Sequence, residues 1–135
     1  MRHLTESAAS GALRRGRGIE QFLEAFEEHR RRGLRYAYVS PAARFHGFIV
    51  SLYIVEDIEE PAGSPVDEFP AFYEADEDAD GARTIAETDS AEAAITVAER
   101  EIGADPKRWV NQGILFDEYR DFVERGRPLG RWLPR

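Results

Sequence analysis

The chain has 135 residues and 15.3 kDa, with 42% hydrophobic and 33% charged residues, the scale of one domain able to build its own core. It contains no cysteine, which excludes a disulfide framework, thiolate metal ligation and a cysteine nucleophile. The net charge of −8 is uneven: residues 1–55 carry nine Arg against five Glu (+4), residues 56–105 carry seventeen acids against Arg83 and Arg100 (−15), and residues 106–135 carry seven Lys/Arg against four acids (+3).

Residues 1–17 read as a basic N-terminal arm. They lack the apolar stretch of about 7–15 residues that a secretory signal needs, so a cytoplasmic location is expected. Gly18 to Gly33 reads as the first helix. Ile19, Phe22, Leu23 and Phe26 fall at i, i+3, i+4 and i+7, Glu20 and Glu24 lie near the start, and His29 to Arg32 complement the negative end before a Gly33 cap. If Phe22 is buried, Phe22→Ala should cost about 3–5 kcal/mol.

The period then changes to two. Leu34, Tyr36 and Tyr38 alternate with Arg35, Ala37 and Val39, and Phe45 to Val55 forms a second strand after the Pro41–Arg44 turn. So short a gap demands an antiparallel hairpin, since a parallel return takes about a dozen residues or more. Both rows of the second strand are largely apolar, which places it centrally in a sheet. The acidic stretch from Glu56 to Gly81 is punctuated by Pro61, Pro65 and Pro70, with Phe69, Phe72 and Tyr73 expected to tie it to the core as an edge segment.

Arg83 to Ala86 reads as a short strand. Asp89 or Ser90 caps a helix with an inner stripe of Ala91, Ala94, Ile95, Ala98 and Ile102, ending at Gly103. Ile114 to Arg125 reads as the next helix, with Leu115, Phe116, Tyr119, Phe122 and Val123 on one side and Gly126 as its stop. Residues 127–135 read as a C-terminal tail whose Trp132 docks on something apolar. The expected fold is a single α+β domain over 18–126: an antiparallel sheet of three or four strands with about three helices packed mainly on one face.

Asp76-Glu77-Asp78-Ala79-Asp80-Gly81, followed by five residues and Glu87, fits the loop spacing of the EF-hand family over twelve residues. The resemblance implies calcium ligation by Asp76, Asp78, Asp80 and Glu87, with Gly81 making the sharp turn. The chain departs from that pattern at Pro65 and Pro70, which preclude an incoming helix, and at Arg83, where an aliphatic residue usually stands. The competing reading is an acidic turn built on Asp80-Gly81.

His3, His29 and His46 stand in no metal-binding spacing, and no serine sits in a nucleophile elbow. Gly16-Arg17-Gly18 reads as a hinge in preference to an anion site. Trp109 to Gly113 gathers aromatic, amide and glycine residues between two helices, suited to satisfying backbone groups or lining a groove. The helix–strand–strand order resembles double-stranded-RNA-binding domains, but Asp89 and Glu92 stand where those need basic residues, and the −15 segment repels phosphate. No nucleic-acid or membrane partner is expected.

The acidic segment beside aromatics points to a small soluble protein-interaction module, an acidic inhibitor or immunity-type protein for a basic partner. Its expected contact residues are Glu59, Glu60, Asp67, Glu68, Phe69, Phe72, Tyr73 and Glu74. One alternative is a calcium-binding or calcium-stabilised domain using loop 76–87, and no cofactor other than calcium is expected. Another is an enzyme with dispersed carboxylate and His46 chemistry, for which no catalytic set is assigned. Basic termini and an acidic middle also make self-association an expectation.

Overall fold

Thr5 accepts the Ala8 backbone N–H on its hydroxyl at 3.1 Å and so caps helix α1 (Glu6–Arg14). The computed structural model describes residues 2–58, 66–76 and 80–133. Helix α1 ends at Gly16, whose φ of 84° lets Gly16 N–H reach Leu13 O and Arg17 N–H reach Ala12 O. The stretch read as an arm is therefore a packed helix, with Ala9, Ala12 and Leu13 at most 2% exposed. The backbone donors of Gly16 and Arg17 close this helix and are not offered to an anion.

The segment read as the first helix is strand β1 (Ile19–Glu28), paired antiparallel with β2 (Arg31–Pro41). Burial on both faces explains the helical spacing. Alternation along the strand puts Ile19 and Leu23 in one core and Phe22 in the other, so apolar residues stand at i, i+3 and i+4 without a helix. The register then steps from Phe22↔Tyr36 to Glu24↔Arg35, leaving Leu23 as an extra residue, and that bulge returns Ala25 to the core that holds Phe22. His29 and Arg30, with φ of 52° and 64°, form the two-residue turn, and Gly33 faces Phe26 across the hairpin instead of capping a helix.

Strands β3 (Phe48–Glu56) and β4 (Ala82–Thr88) extend the sheet, joined by a short 3₁₀ turn at Val66–Glu68 and an isolated bridge between Val55 and Ala71. Ser90 caps α2 (Ala91–Glu101), and β5 (Val110–Asn111), α3 (Leu115–Glu124) and β6 (Gly130–Arg131) complete the described chain. Among the described residues the sheet thus has six strands, in the order β4-β3-β2-β1-β5 with β6 also on β1. Three or four were expected. The additional ones are the misread β1 and the two-residue strands β5 and β6, too short to carry a period.

Successive residues of β2 alternate between two cores. Ala37 and Val39 join Leu13, Val50, Ile95, Ala98 and Trp109 in the core under α1 and α2. Leu34 and Tyr36 join Phe22, Val55, Phe69, Tyr119, Phe122 and Trp132 in the core under α3. Helices therefore cover both faces, not mainly one. The C-terminal segment is part of the second core: Trp132 N–H donates to Leu23 O at 3.0 Å, and its ring stacks 5.8 Å from Phe22. Buried Glu118 ties both ends of the chain to α3, holding His3 Nε2 at 2.5 Å and Trp132 Nε1 at 3.3 Å.

Candidate functional site

Cross-strand pairing assembles the site. Glu20 of β1 lies opposite Tyr38 of β2, and Tyr36 lies opposite Tyr53 of β3. The Tyr36 and Tyr53 rings stack at 4.6 Å and 4°, and Tyr38 meets Tyr53 edge-on at 6.4 Å. These residues wall a cavity of about 490 Å3, completed by Val66 and Asp67, by Asp80, and by Gln112, Gly113, Leu115 and Phe116 around the start of α3. Among the described residues, three carboxylates line it and no basic side chain does.

Glu20 is the floor. One oxygen, Oε2, accepts the backbone N–H groups of Gly113 and Leu115, both at 2.9 Å. No side chain of α3's own caps that helix, so a carboxylate from the sheet does so at the positive end of its dipole. Glu20 is 8% exposed, and Oε1 has no hydrogen-bond partner among the described residues. Burial pushes its pKa above the ordinary carboxylate value, against the two N–H bonds that lower it, and nearby Asp67 adds to the rise.

Tyr36 is 6% exposed, and its hydroxyl likewise has no hydrogen-bond partner among the described residues. Burial raises its pKa strongly, with Tyr53, Glu20, Asp67 and Asp80 contributing in the same direction. Tyr38 is raised by burial and by Glu20, while a hydrogen bond with Ser40 works the other way. In all three groups burial is the largest cause, and neighbouring acidic or phenolic groups add to it.

The expected contact residues separate into two sets. Asp67, Glu68 and Glu74 are exposed, and Asp67 lines the cavity. Phe69 is buried against Tyr119 at 5.3 Å, and Phe72 is buried against Phe26 at 4.8 Å with Arg31 over its ring. Tyr73 donates its hydroxyl to Glu28 at 2.7 Å, with Arg83 over its ring at 5.5 Å. These aromatics anchor the acidic segment to the fold, as the sequence suggests, and Phe69 and Phe72 present almost no surface outward. Glu59 and Glu60 lie outside the described residues.

The calcium-loop residues are dispersed. Asp76 accepts Arg83 Nε at 2.7 Å, Asp80 accepts the Ala82 N–H at 3.1 Å beside the cavity, and Glu87 sits within β4 opposite Ile49. Asp78 lies outside the described residues. Among the described residues, no group of three His, Asp or Glu converges to hold a metal ion. His46 lies in the exposed turn before β3, away from the cavity lining. No described helix is long and apolar enough to cross a membrane.

Glu20, Tyr36, Tyr38 and Tyr53 are absent from the sequence-derived site. Tyr36 and Tyr38 on one strand face are a signal visible in the sequence, whereas Glu20 has the spacing of a helix-start acid and joins them only once Ile19–Glu28 is a strand. Gln112 and Gly113 line the cavity, the groove role open to the Trp109–Gly113 segment, while Trp109 itself is buried. No protein-family model matches the chain, and no curated protein or solved structure matches it.

Proposed function

We propose that the chain is a small interaction module that binds a basic partner protein, in the manner of an acidic inhibitor or immunity-type protein, with the tyrosine cavity as its cation-capturing anchor. The observation that carries this reading is the cavity lining: Glu20, Asp67 and Asp80 with Tyr36, Tyr38 and Tyr53, and no basic side chain among the described residues. Tyrosine faces and carboxylates together attract a cation through ring quadrupole and charge. Exposed Glu68, Glu74, Glu87 and Asp89 extend the negative surface beyond the cavity and would accelerate encounter with a positively charged partner.

Stopped-flow association of an Arg/Lys-rich peptide, followed from low to high salt, tests the proposal. The association rate is expected to fall steeply with ionic strength, and to fall further in the double variant Asp67→Asn/Asp80→Asn. A rate independent of both salt and the double substitution would remove the electrostatic capture on which the reading depends.

A further inference from the structure

The cavity's size and charge placement are more specific than a general attraction for basic chains. A volume of about 490 Å3 falls within the range of roughly 300–1,000 Å3 typical of small-molecule sites and is larger than one lysine or arginine side chain requires. Its three carboxylates come from three separate parts of the fold: Glu20 from β1, Asp67 from the 3₁₀ turn, and Asp80 from the residues just before β4. They surround the space without converging. Among the described residues no acidic group is gathered tightly enough for a metal ion.

A point dication is therefore a poor match, whereas several positive charges held apart by apolar spacers match well. The stacked Tyr36–Tyr53 pair and the edge-on Tyr38 supply ring surface for such spacers and for the ammonium groups themselves. Two polar groups at the wall are open to an incoming donor: Glu20 Oε1 and the Tyr36 hydroxyl, both on side chains more than nine-tenths buried, lining the cavity and without a hydrogen-bond partner among the described residues. An ammonium N–H entering the cavity can be accepted by either oxygen.

We infer that the cavity is a binding site for a free aliphatic polyamine, its ammonium groups distributed among Glu20, Asp67 and Asp80 and its methylene spacers lying against the tyrosine rings. The inference rests on the reading of this cavity as a cation site, and it adds that a small-molecule polycation competes with the basic partner for the same anchor.

Isothermal titration with spermidine at physiological salt tests it, with butylamine and an Arg/Lys-rich peptide as parallel ligands. Expected is one-to-one spermidine binding, at least about tenfold tighter than butylamine, weakened about tenfold or more by either Asp67→Asn or Asp80→Asn, and displaced by the peptide. Both substitutions lie on exposed side chains and are compatible with folding, and the thermal unfolding of each variant confirms this. Spermidine binding unchanged by either substitution means diffuse association with the acidic surface and overturns the site. Peptide binding without spermidine binding overturns the polyamine inference and leaves the interaction module standing. Silence from both ligands overturns both.

Discussion

Glu20 combines two roles that ordinarily fall to different residues: it caps α3 from a neighbouring strand, and it places a carboxylate at the floor of a cavity. Its raised pKa gives the sign of its pH effect. The native state holds the Glu20 proton more tightly than the unfolded chain, so this residue's contribution to stability declines as pH rises from the unfolded carboxylate range through the folded pKa. Glu20→Gln keeps an oxygen for the Gly113 and Leu115 N–H groups and removes the buried charge. It should leave stability at pH 7 equal or higher, flatten that part of the pH profile, and weaken cation binding. Glu20→Ala should instead strand two backbone donors at about 1–3 kcal/mol each. Urea unfolding between pH 4 and pH 8 measures both, and a Gln variant less stable at pH 7 would show that the charge–dipole attraction outweighs burial.

At the scale of elements, the β1–β2 hairpin shows how two structures share one pattern. The run of Glu followed by Arg that suits a helix dipole becomes a ladder of opposite charges, with Glu24↔Arg35, Glu27↔Arg32 and Glu28↔Arg31 in register. Arg35 pairs with Glu24, and Arg32 lies 3.9 Å from Glu27. The turn distinguishes the two structures energetically. Arg30 holds a φ of 64°, a conformation that costs an ordinary residue about 1–2 kcal/mol, so Arg30→Gly should raise stability by about 1 kcal/mol. Inside the last turn of a helix ending at Gly33, glycine at position 30 would instead cost about 1 kcal/mol relative to alanine, so the sign of the change in urea midpoint separates strand from helix. Gly81, at the entry to β4, is the opposite case. Its φ is 77° and an added Cβ would stand 2.3 Å from Ile54 O, so Gly81→Ala should destabilise by more than the left-handed penalty alone and loosen the wall that carries Asp80. The same urea titration reads this loss.

At the scale of the whole molecule, one sheet separates two cores, and both ends of the chain are needed to close them. Leu13, in the stretch that composition alone presents as an arm, is 1% exposed in the α1–α2 core. Leu13→Ala should therefore cost about 2–5 kcal/mol in chemical denaturation, whereas a true arm would show no change. In the other core, Tyr119 donates its hydroxyl to buried Asp57 at 2.7 Å, and burial pushes its pKa up to about 12. Much of the charge complementarity between the basic ends and the acidic middle is used internally, as in Arg14 with Glu92, Arg127 with Asp57 and Arg31 with Glu56. Of the carboxylates that stay exposed, Asp67 and Asp80 line the tyrosine cavity.

Several features were decided locally and were legible without coordinates. The β2–β3 hairpin, α2 with its Ser90 cap, and α3 all follow from unbroken periods bounded by caps, glycines and prolines, because in each the local preference and the burial pattern agree. Three features were settled by contacts distant in sequence. Burial of both faces made a strand of a helical spacing, an Ala/Ser-rich segment became α1 because a sheet face was available to bury it, and Glu20 met the three tyrosines only through the pairing of β1, β2 and β3. Periodicity records which residues are buried but not what they are buried against, and a binding cavity is defined by that second quantity.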